Sequence, residues 1–150
     1  MRGYFGIGIF HGKHEINIGT LWRHAYMYRA AFVFTIGARY RAQSSDTLKT
    51  PKHIPMYHYS DVDVFMESRP YDCPLVCVEL SEGSISLPDF THPERAIYLL
   101  GAEDHGLLES VLDRAQYIVQ IPCPSPQSMN VAVAGTLVMY DRFLKSRRLM

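Results

Sequence analysis

Three short stretches carry side chains whose types and spacing could do chemistry. In Asn17-Ile-Gly-Thr-Leu-Trp-Arg23 an amide, a glycine and a guanidinium follow one another. On a helix rising 1.5 Å per residue, Arg23 would lie ~9 Å beyond Asn17. A guanidinium presents a planar fork of donors that suits phosphate or carboxylate. The plainer reading is an N-cap asparagine followed by a surface arginine. In Leu99-Leu-Gly-Ala-Glu-Asp-His-Gly-Leu107 an apolar run ends at Gly101, with Glu103 at the turn beyond it. Gly101 would permit positive φ or close approach of a ligand to the backbone. A strand-to-helix turn with acidic residues near the helix N-terminus would look the same. In the third stretch, Ile121 to Asp141, Pro122, Pro124 and Pro126 fix φ near −65° at alternate positions. Ser128 could then cap a long apolar helix, whose free N–H groups favour an anion. A proline-stiffened connector with a serine cap is the alternative.

The elements that must position these residues alternate along the chain. Tyr4–Phe10, Ala31–Ile36, Met56–Tyr59, Leu75–Val78, Ala96–Leu100 and Tyr117–Ile121 are aromatic or β-branched runs, expected as strands. Residues 17–29 place Ile18, Leu21, Trp22 and Ala25 at helical spacing, with Asn17 as expected N-cap. Shorter helices are expected near residues 61–66 and over 105–114. The last, over 128–144, has Val133, Leu137, Tyr140 and Leu144 along one face. Such alternation predicts one α/β domain over residues 1–150, with a mostly parallel sheet and helices on both faces. Ligands of such sheets sit beyond the carboxyl ends of the strands. Stretches 42–53 and 81–94 show no periodicity.

Composition narrows the classes. Lys+Arg and Asp+Glu balance at 15 each, so no global field draws the chain to nucleic acid or membrane. Any RNA contact must come from local charge: Arg39 and Arg41 after the second strand, then Lys49 and Lys52, with Tyr40 and Tyr57 able to stack on bases. Arg142, Lys145, Arg147 and Arg148 read as a solvated, frayed helix end. Three cysteines without CxxC spacing favour reduced thiols. His11-x-x-His14 lacks an apparent third ligand, so no metal is expected; His11 could instead line a substrate mouth. No apolar run approaches a membrane span and no signal sequence is apparent, so a cytoplasmic protein is expected.

Taken in order, the stretches resemble the three motifs of the SpoU (TrmH-like) branch of the SPOUT RNA methyltransferases. N-x-G-x-x-x-R corresponds to Asn17, Gly19 and Arg23. A hydrophobic strand leading to G-x-E-x-x-G corresponds to Gly101, Glu103 and Gly106. I-P followed by S-[LM]-N-[VL] corresponds to Ile121, Pro122, Ser128, Met129, Asn130 and Val131. The chain departs from that pattern at Pro124 and Pro126, at Cys123 where Met is frequent, and at Ala132 where Ser is frequent.

The resemblance implies a minimal single-domain enzyme with a C-terminal trefoil knot. It would transfer a methyl group from S-adenosylmethionine to a ribose 2′-hydroxyl, tRNA before rRNA, leaving S-adenosylhomocysteine. Val78, Glu79, Gly101, Ile121, Pro122, Ser128 and Met129 would bind the cofactor. Arg23 would act at the reacting centre, with Asn17, Glu103, Ser128 and Asn130 positioning it and the substrate. A homodimer with the site near its interface is implied, Trp22 and Tyr140 being candidate contacts. Two other readings remain: a non-catalytic RNA-binding member of the same fold, and a flavodoxin-like nucleotide binder.

Overall fold

A computed structural model describes residues 3–37, 52–101, 106–125 and 127–148. Arg39, Tyr40, Arg41, Lys49, Glu103, His105 and Pro126 lie outside the described residues.

The elements run β1 (Tyr4–Phe10), α1 (Glu15–Met27), β2 (Phe32–Ile36), β3 (Met56–Tyr59), α2 (Val62–Ser68), β4 (Leu75–Val78), β5 (Ile85–Ser86), a 3-10 turn (Leu87–Asp89), β6 (Arg95–Leu100), α3 (Glu109–Leu112), β7 (Tyr117–Gln120) and α4 (Val131–Arg148). The strands form one seven-stranded sheet in the order β3-β2-β1-β6-β4-β7-β5. Every described pairing is parallel. Parallel strands need crossovers and are buried on both faces, and the central ones read as near-continuous apolar runs for that reason. Ile7, Ile97, Leu75 and Leu99 are fully enclosed.

One core cluster joins Ile7, Ile9, Leu21, Trp22, Tyr98, Leu100 and Met139 beneath α1 and α4. The other joins Phe10, Phe34, Phe65, Leu99 and Val111 beneath α2 and α3. The alternation Gly6-Ile-Gly8-Ile in β1 follows from this layering. A side chain at Gly6 would collide with the Phe32 ring, and one at Gly8 would lie 2.5 Å from Phe34. The isoleucines fill one face while the glycines admit phenylalanines from β2 on the other.

Several expectations need correcting. Helix α1 begins at Glu15 with His14 at the cap position, so Asn17 lies inside the first turn and does not cap it. The helix expected over 105–114 is found only as Glu109–Leu112. Strand β5 lies in a stretch expected to be irregular. The stripe Val133, Leu137, Tyr140 faces solvent, while the apolar side chains of α4 that are buried are Val131, Ala132, Val138 and Met139. Its basic end is anchored. Arg142 is buried and donates to the Pro93 and Glu94 carbonyls at 2.6 and 2.7 Å, and Lys145 donates to those of Leu87 and Phe90 at 2.6 and 2.7 Å. Trp22 is core, its Nε1 donating to the Ile54 carbonyl at 3.2 Å.

Strand β7 lies between β4 and β5. Because Val78 and Ile85 both align with Val119, the connection between them crosses the carboxyl end of β7. That crossing forms one side of the site.

Candidate functional site

A cavity of about 870 Å³ opens at the carboxyl ends of β6, β4 and β7, three neighbours in the sheet. Strand ends supply Val78, Leu100 and Gln120, and the segments beyond them Glu79, Gly101 and Ile121. The crossing after β4 adds Leu80 and Ser81, and the first turns of α4 add Val131 and Ala134.

Val78, Glu79, Gly101, Ile121, Pro122, Ser128 and Met129, the residues assigned to a cofactor from the sequence, all lie on this wall. Leu80, Ser81, Leu107 and Gln120 line it without having been singled out. Ser81 opens the stretch without periodicity and Leu80 directly precedes it; the two-residue β5 and the Ser81–Ser84 turn fix its course. No local pattern could have shown that it folds across β7.

Gly101 has a different reason than ligand approach. A Cβ there would sit 2.5–2.7 Å from the backbone of Gly106 and Leu107. The returning chain packs directly on the end of β6. Gly106 has φ +62°, the left-handed region that glycine occupies without strain.

Asn130 joins the first and third motifs. Its Oδ1 accepts from the backbone N–H groups of Ala132 at 2.9 Å and Val133 at 3.2 Å, which caps α4. Its Nδ2 donates to Asn17 Oδ1 at 3.0 Å. The cap expected at Ser128 is therefore supplied two residues later. With the Ala134 N–H also bonded, to the Asn130 carbonyl, the helix N-terminus has little capacity left for an anion. Ser128 is exposed and faces the cavity.

The two helices meet closely. A Cβ on Gly135 would lie 2.5 Å from Leu21 Cδ1, and His24 Nδ1 is 2.7 Å from Thr136 Oγ1. Burial and the neighbouring Arg23 charge hold His24 below the ordinary imidazole value. Arg23 itself is exposed, does not line the cavity, and makes no hydrogen bond or ion pair among the described residues. Ile16, Thr20, Arg23 and Met27 follow helical spacing along a single stripe of α1, and Ile16 and Met27 are 70% and 62% exposed.

His11 is exposed, adopts φ 52°, and packs on Phe10 and against Gly37 without lining the cavity. Lys52 is also exposed and away from the cavity wall. Among the described residues no group of three His, Cys, Asp or Glu is gathered as a metal site would need, and no helix is long and apolar enough to cross a membrane. The Cys77 thiol behind Glu79 is pushed up to about 12 by burial and, secondarily, by the Glu79 carboxylate. It is an inert core group.

Chemically, the cavity suits a large, partly apolar ligand. Among the described lining residues the carboxylates are Glu79 and Glu109, with no Lys, Arg or His.

Comparison with known proteins gives a consistent picture. The model of the SpoU rRNA Methylase family matches residues 6–140. No curated protein is similar enough in sequence to be matched. A solved structure concerned with 2-OH methylation of C/U34 on tRNA superposes with TM-score 0.83 at 22% identity, covering 97% of this chain and 98% of that one. The SpoU methyltransferase AviRb from Streptomyces viridochromogenes, in complex with the cofactor AdoMet, gives 0.83 at 20% identity. It covers 99% of this chain, which spans 62% of AviRb. The A. aeolicus TrmH/SpoU tRNA modifying enzyme gives 0.84 at 17% identity, covering 96% of this chain and 76% of that one. At such identities the likeness establishes the fold.

Proposed function

Because the chain belongs to the SpoU rRNA Methylase family, we propose that it transfers a methyl group from S-adenosylmethionine to a ribose 2′-hydroxyl of RNA, with tRNA preferred over rRNA. The observation that carries this reading is the cavity at the ends of β6, β4 and β7, walled by the second and third motifs and tied to the first through Asn130 and Asn17. The neighbour concerned with tRNA 2-OH methylation, similar over nearly its whole length, supports ribose and tRNA as targets.

The residues present fit the donor. A volume of about 870 Å³ is within the range that holds a cofactor of this size. Leu100, Ile121, Val131 and Ala134 offer apolar surface for adenine, while a lining with no Lys, Arg or His among the described residues offers a phosphate no counter-charge. That charge pattern disfavours the flavodoxin-like alternative, whose ligand would bring phosphate into an acidic cavity. When bound, S-adenosylmethionine supplies a methyl group already activated on a sulfonium.

The protein's task is then positional. The cavity walls would hold the donor, and the hydroxyl oxygen must be held in line with its methyl group at ~3 Å. Guanidinium groups do not deprotonate in proteins, so Arg23 is assigned to grip a backbone phosphate with its fork and orient the ribose. That grip would also let the phosphate relay the hydroxyl proton outward to solvent. Asn17 and Asn130 fix the relative placement of α1 and α4, Ser128 stands at the rim, and Glu103 completes the second motif.

Arg23 lies off the cavity wall of its own chain, on a stripe with the exposed Ile16 and Met27. Helix α4 adds a second one, Val133, Leu137 and Tyr140, each at least 36% exposed. Helix α4 is thus apolar on two faces, and the outer one stays largely uncovered by the described residues. The proposed cover is a second copy of the chain, so that the site is completed across a homodimer. We also assign the trefoil knot here. The chain leaving β7 would pass beneath the crossing between Val78 and Ile85 before forming α4, which the strand order supports.

The test is incubation with methyl-labelled S-adenosylmethionine and unmodified tRNA or rRNA, followed by nucleoside mass spectrometry. A 2′-O-methylnucleoside in tRNA is expected. Base methylation, or no donor binding in calorimetry together with flavin binding, would overturn the proposal.

A further inference from the structure

We propose that Glu79 is a positioning residue, a carboxylate latch that holds two walls of the donor cavity in register; the inference rests on the donor-cavity reading above. Glu79 directly follows β4, and its backbone N–H donates to the Val119 carbonyl of β7 at 2.9 Å. Its main chain is therefore fixed by the sheet. Its side chain then turns to the loops. Oε2 accepts from the Leu107 backbone N–H at 2.8 Å, and Oε1 accepts from the Leu80 backbone N–H at 3.0 Å.

The two donors belong to different walls. Leu80 begins the crossing over β7, while Leu107 lies between β6 and α3. Both residues line the cavity. No other hydrogen bond between these two segments is present among the described residues. A carboxylate receiving two N–H groups forms charge-assisted bonds, roughly twice as strong as neutral ones.

Glycines make room for the latch. The position a Cβ would take on Gly106 is filled by Glu79 Oε2. From the end of β6, a Cβ on Gly101 would strike the Gly106 and Leu107 backbone at 2.5–2.7 Å. The end of β6, the 106–107 backbone and the Glu79 carboxylate are thus stacked in contact. The two motif glycines serve this stacking. Glu79 is outside the three motifs, yet it determines where the second motif's return segment lies.

A latch acts on the shape of the wall, so it has consequences that a direct ligand contact would not. Glu79→Ala removes both acceptors and is expected to weaken S-adenosylmethionine binding about 10- to 100-fold, as loss of charged hydrogen bonds does. Glu79→Gln keeps one acceptor and should fall between wild type and Glu79→Ala. The product, S-adenosylhomocysteine, which lacks the sulfonium charge, should weaken by the same factor. Hydrogen exchange of the Leu107 amide should accelerate in both variants, and the donor KM should rise while the RNA KM stays unchanged.

Calorimetry with both compounds and exchange mass spectrometry on the full chain decide the matter. Donor affinity unchanged in Glu79→Ala would overturn the latch. Weakening of the sulfonium alone would overturn it in favour of a direct charge contact, as would weakened binding with Leu107 protection intact. Should the alanine variant fail to fold, the glutamine variant carries the same comparison. Failure of the wild type to bind S-adenosylmethionine would remove the donor reading, while Leu107 exchange would still judge the latch.

Discussion

Asn130 Nδ2 donates to Asn17 Oδ1 at 3.0 Å, a bond between residues 113 positions apart, while Asn130 Oδ1 caps α4. One side chain thus starts the last helix and attaches it to the first. The two roles can be separated. Asn130→Asp keeps the capping acceptor but loses the donor, whereas Asn130→Ala loses both. Removing a cap costs about 1 kcal/mol, so Asn130→Ala should lower Tm by about 2–4 °C and Asn130→Asp by less. Methyl transfer should fall about tenfold or more in both. Full activity in Asn130→Asp, measured beside thermal melts, would show that the link to Asn17 does not serve catalysis.

Arg23 is exposed and unpaired among the described residues, so removing it leaves no buried group unsatisfied. Arg23→Ala should leave Tm within about 1 °C of wild type, as surface changes do. Donor affinity should stay nearly intact because the side chain is off the cavity wall. Methylation should drop at least about a hundredfold, the scale for losing one preorganised charge contact. Arg23→Lys should recover only part, since an ammonium cannot reproduce the fork. Parallel loss of donor binding and activity would reassign Arg23 to the cofactor.

Much of this arrangement was legible in the sequence. The central strands are recognisable from Tyr4–Phe10, Leu75–Val78 and the run up to Leu100, because enclosure on both faces demands unbroken apolar residues. Of the cavity residues, Gly101, Ile121, Pro122, Ser128 and Met129 were legible through the motifs. Three things were not. Asn17 at the start of an apolar-periodic segment looks like a cap, and only the distant Asn130 gives it another partner. Glu79 reads as the polar residue after a strand, since its donors at Leu80 and Leu107 are backbone groups without sequence identity. Arg142 and Lys145 look like a solvated end, but their acceptors are carbonyls of residues 87–94, which carry no pattern either. Side chain-to-backbone bonds across long separations are invisible to periodicity.

The outward stripe of α4 gives a prediction about assembly. Leu137 lies between Val133 and Tyr140, and all three are exposed in the single chain. Leu137→Glu would place a charge in the centre of the proposed interface, where desolvation is most costly. It should convert the dimer to monomer in analytical ultracentrifugation while leaving the circular dichroism of the fold unchanged. Activity should fall with it if Arg23 serves the partner's cavity. Monomeric wild-type protein with full activity would exclude a shared site.

The end of α4 carries a pH dependence whose sign follows from one histidine. His92 is enclosed, with its Nδ1 2.6 Å from Tyr98 Oη and its Nε2 2.8 Å from Asp141 Oδ2. Arg142 donates to Tyr98 Oη at 3.1 Å, and Lys145 pairs with Asp141 at 2.7 Å. A neutral ring satisfies this chain: Nε2–H donates to Asp141, and Nδ1 accepts from Tyr98, whose oxygen receives Arg142. Burial pushes His92 down to about 4, against the upward pull of Asp141 and with help from the Arg142 and Lys145 charges. Burial likewise pushes Tyr98 up to about 12, so the phenol stays a donor. An unfolded histidine takes up its proton near pH ~6.5, so between that value and about 4 the unfolded chain binds a proton the folded chain refuses. Stability should therefore fall as pH drops through this window, by up to about 1.4 kcal/mol per pH unit from this group. His92→Gln removes the titration. In urea melts at pH 7, 6 and 5, the variant should lose less stability than wild type, the gap between them narrowing by about 1–2 kcal/mol overall. Equal slopes for the two proteins would mean that His92 accepts a proton as readily folded as unfolded, and that the hydrogen-bond chain through Tyr98 does not hold it neutral.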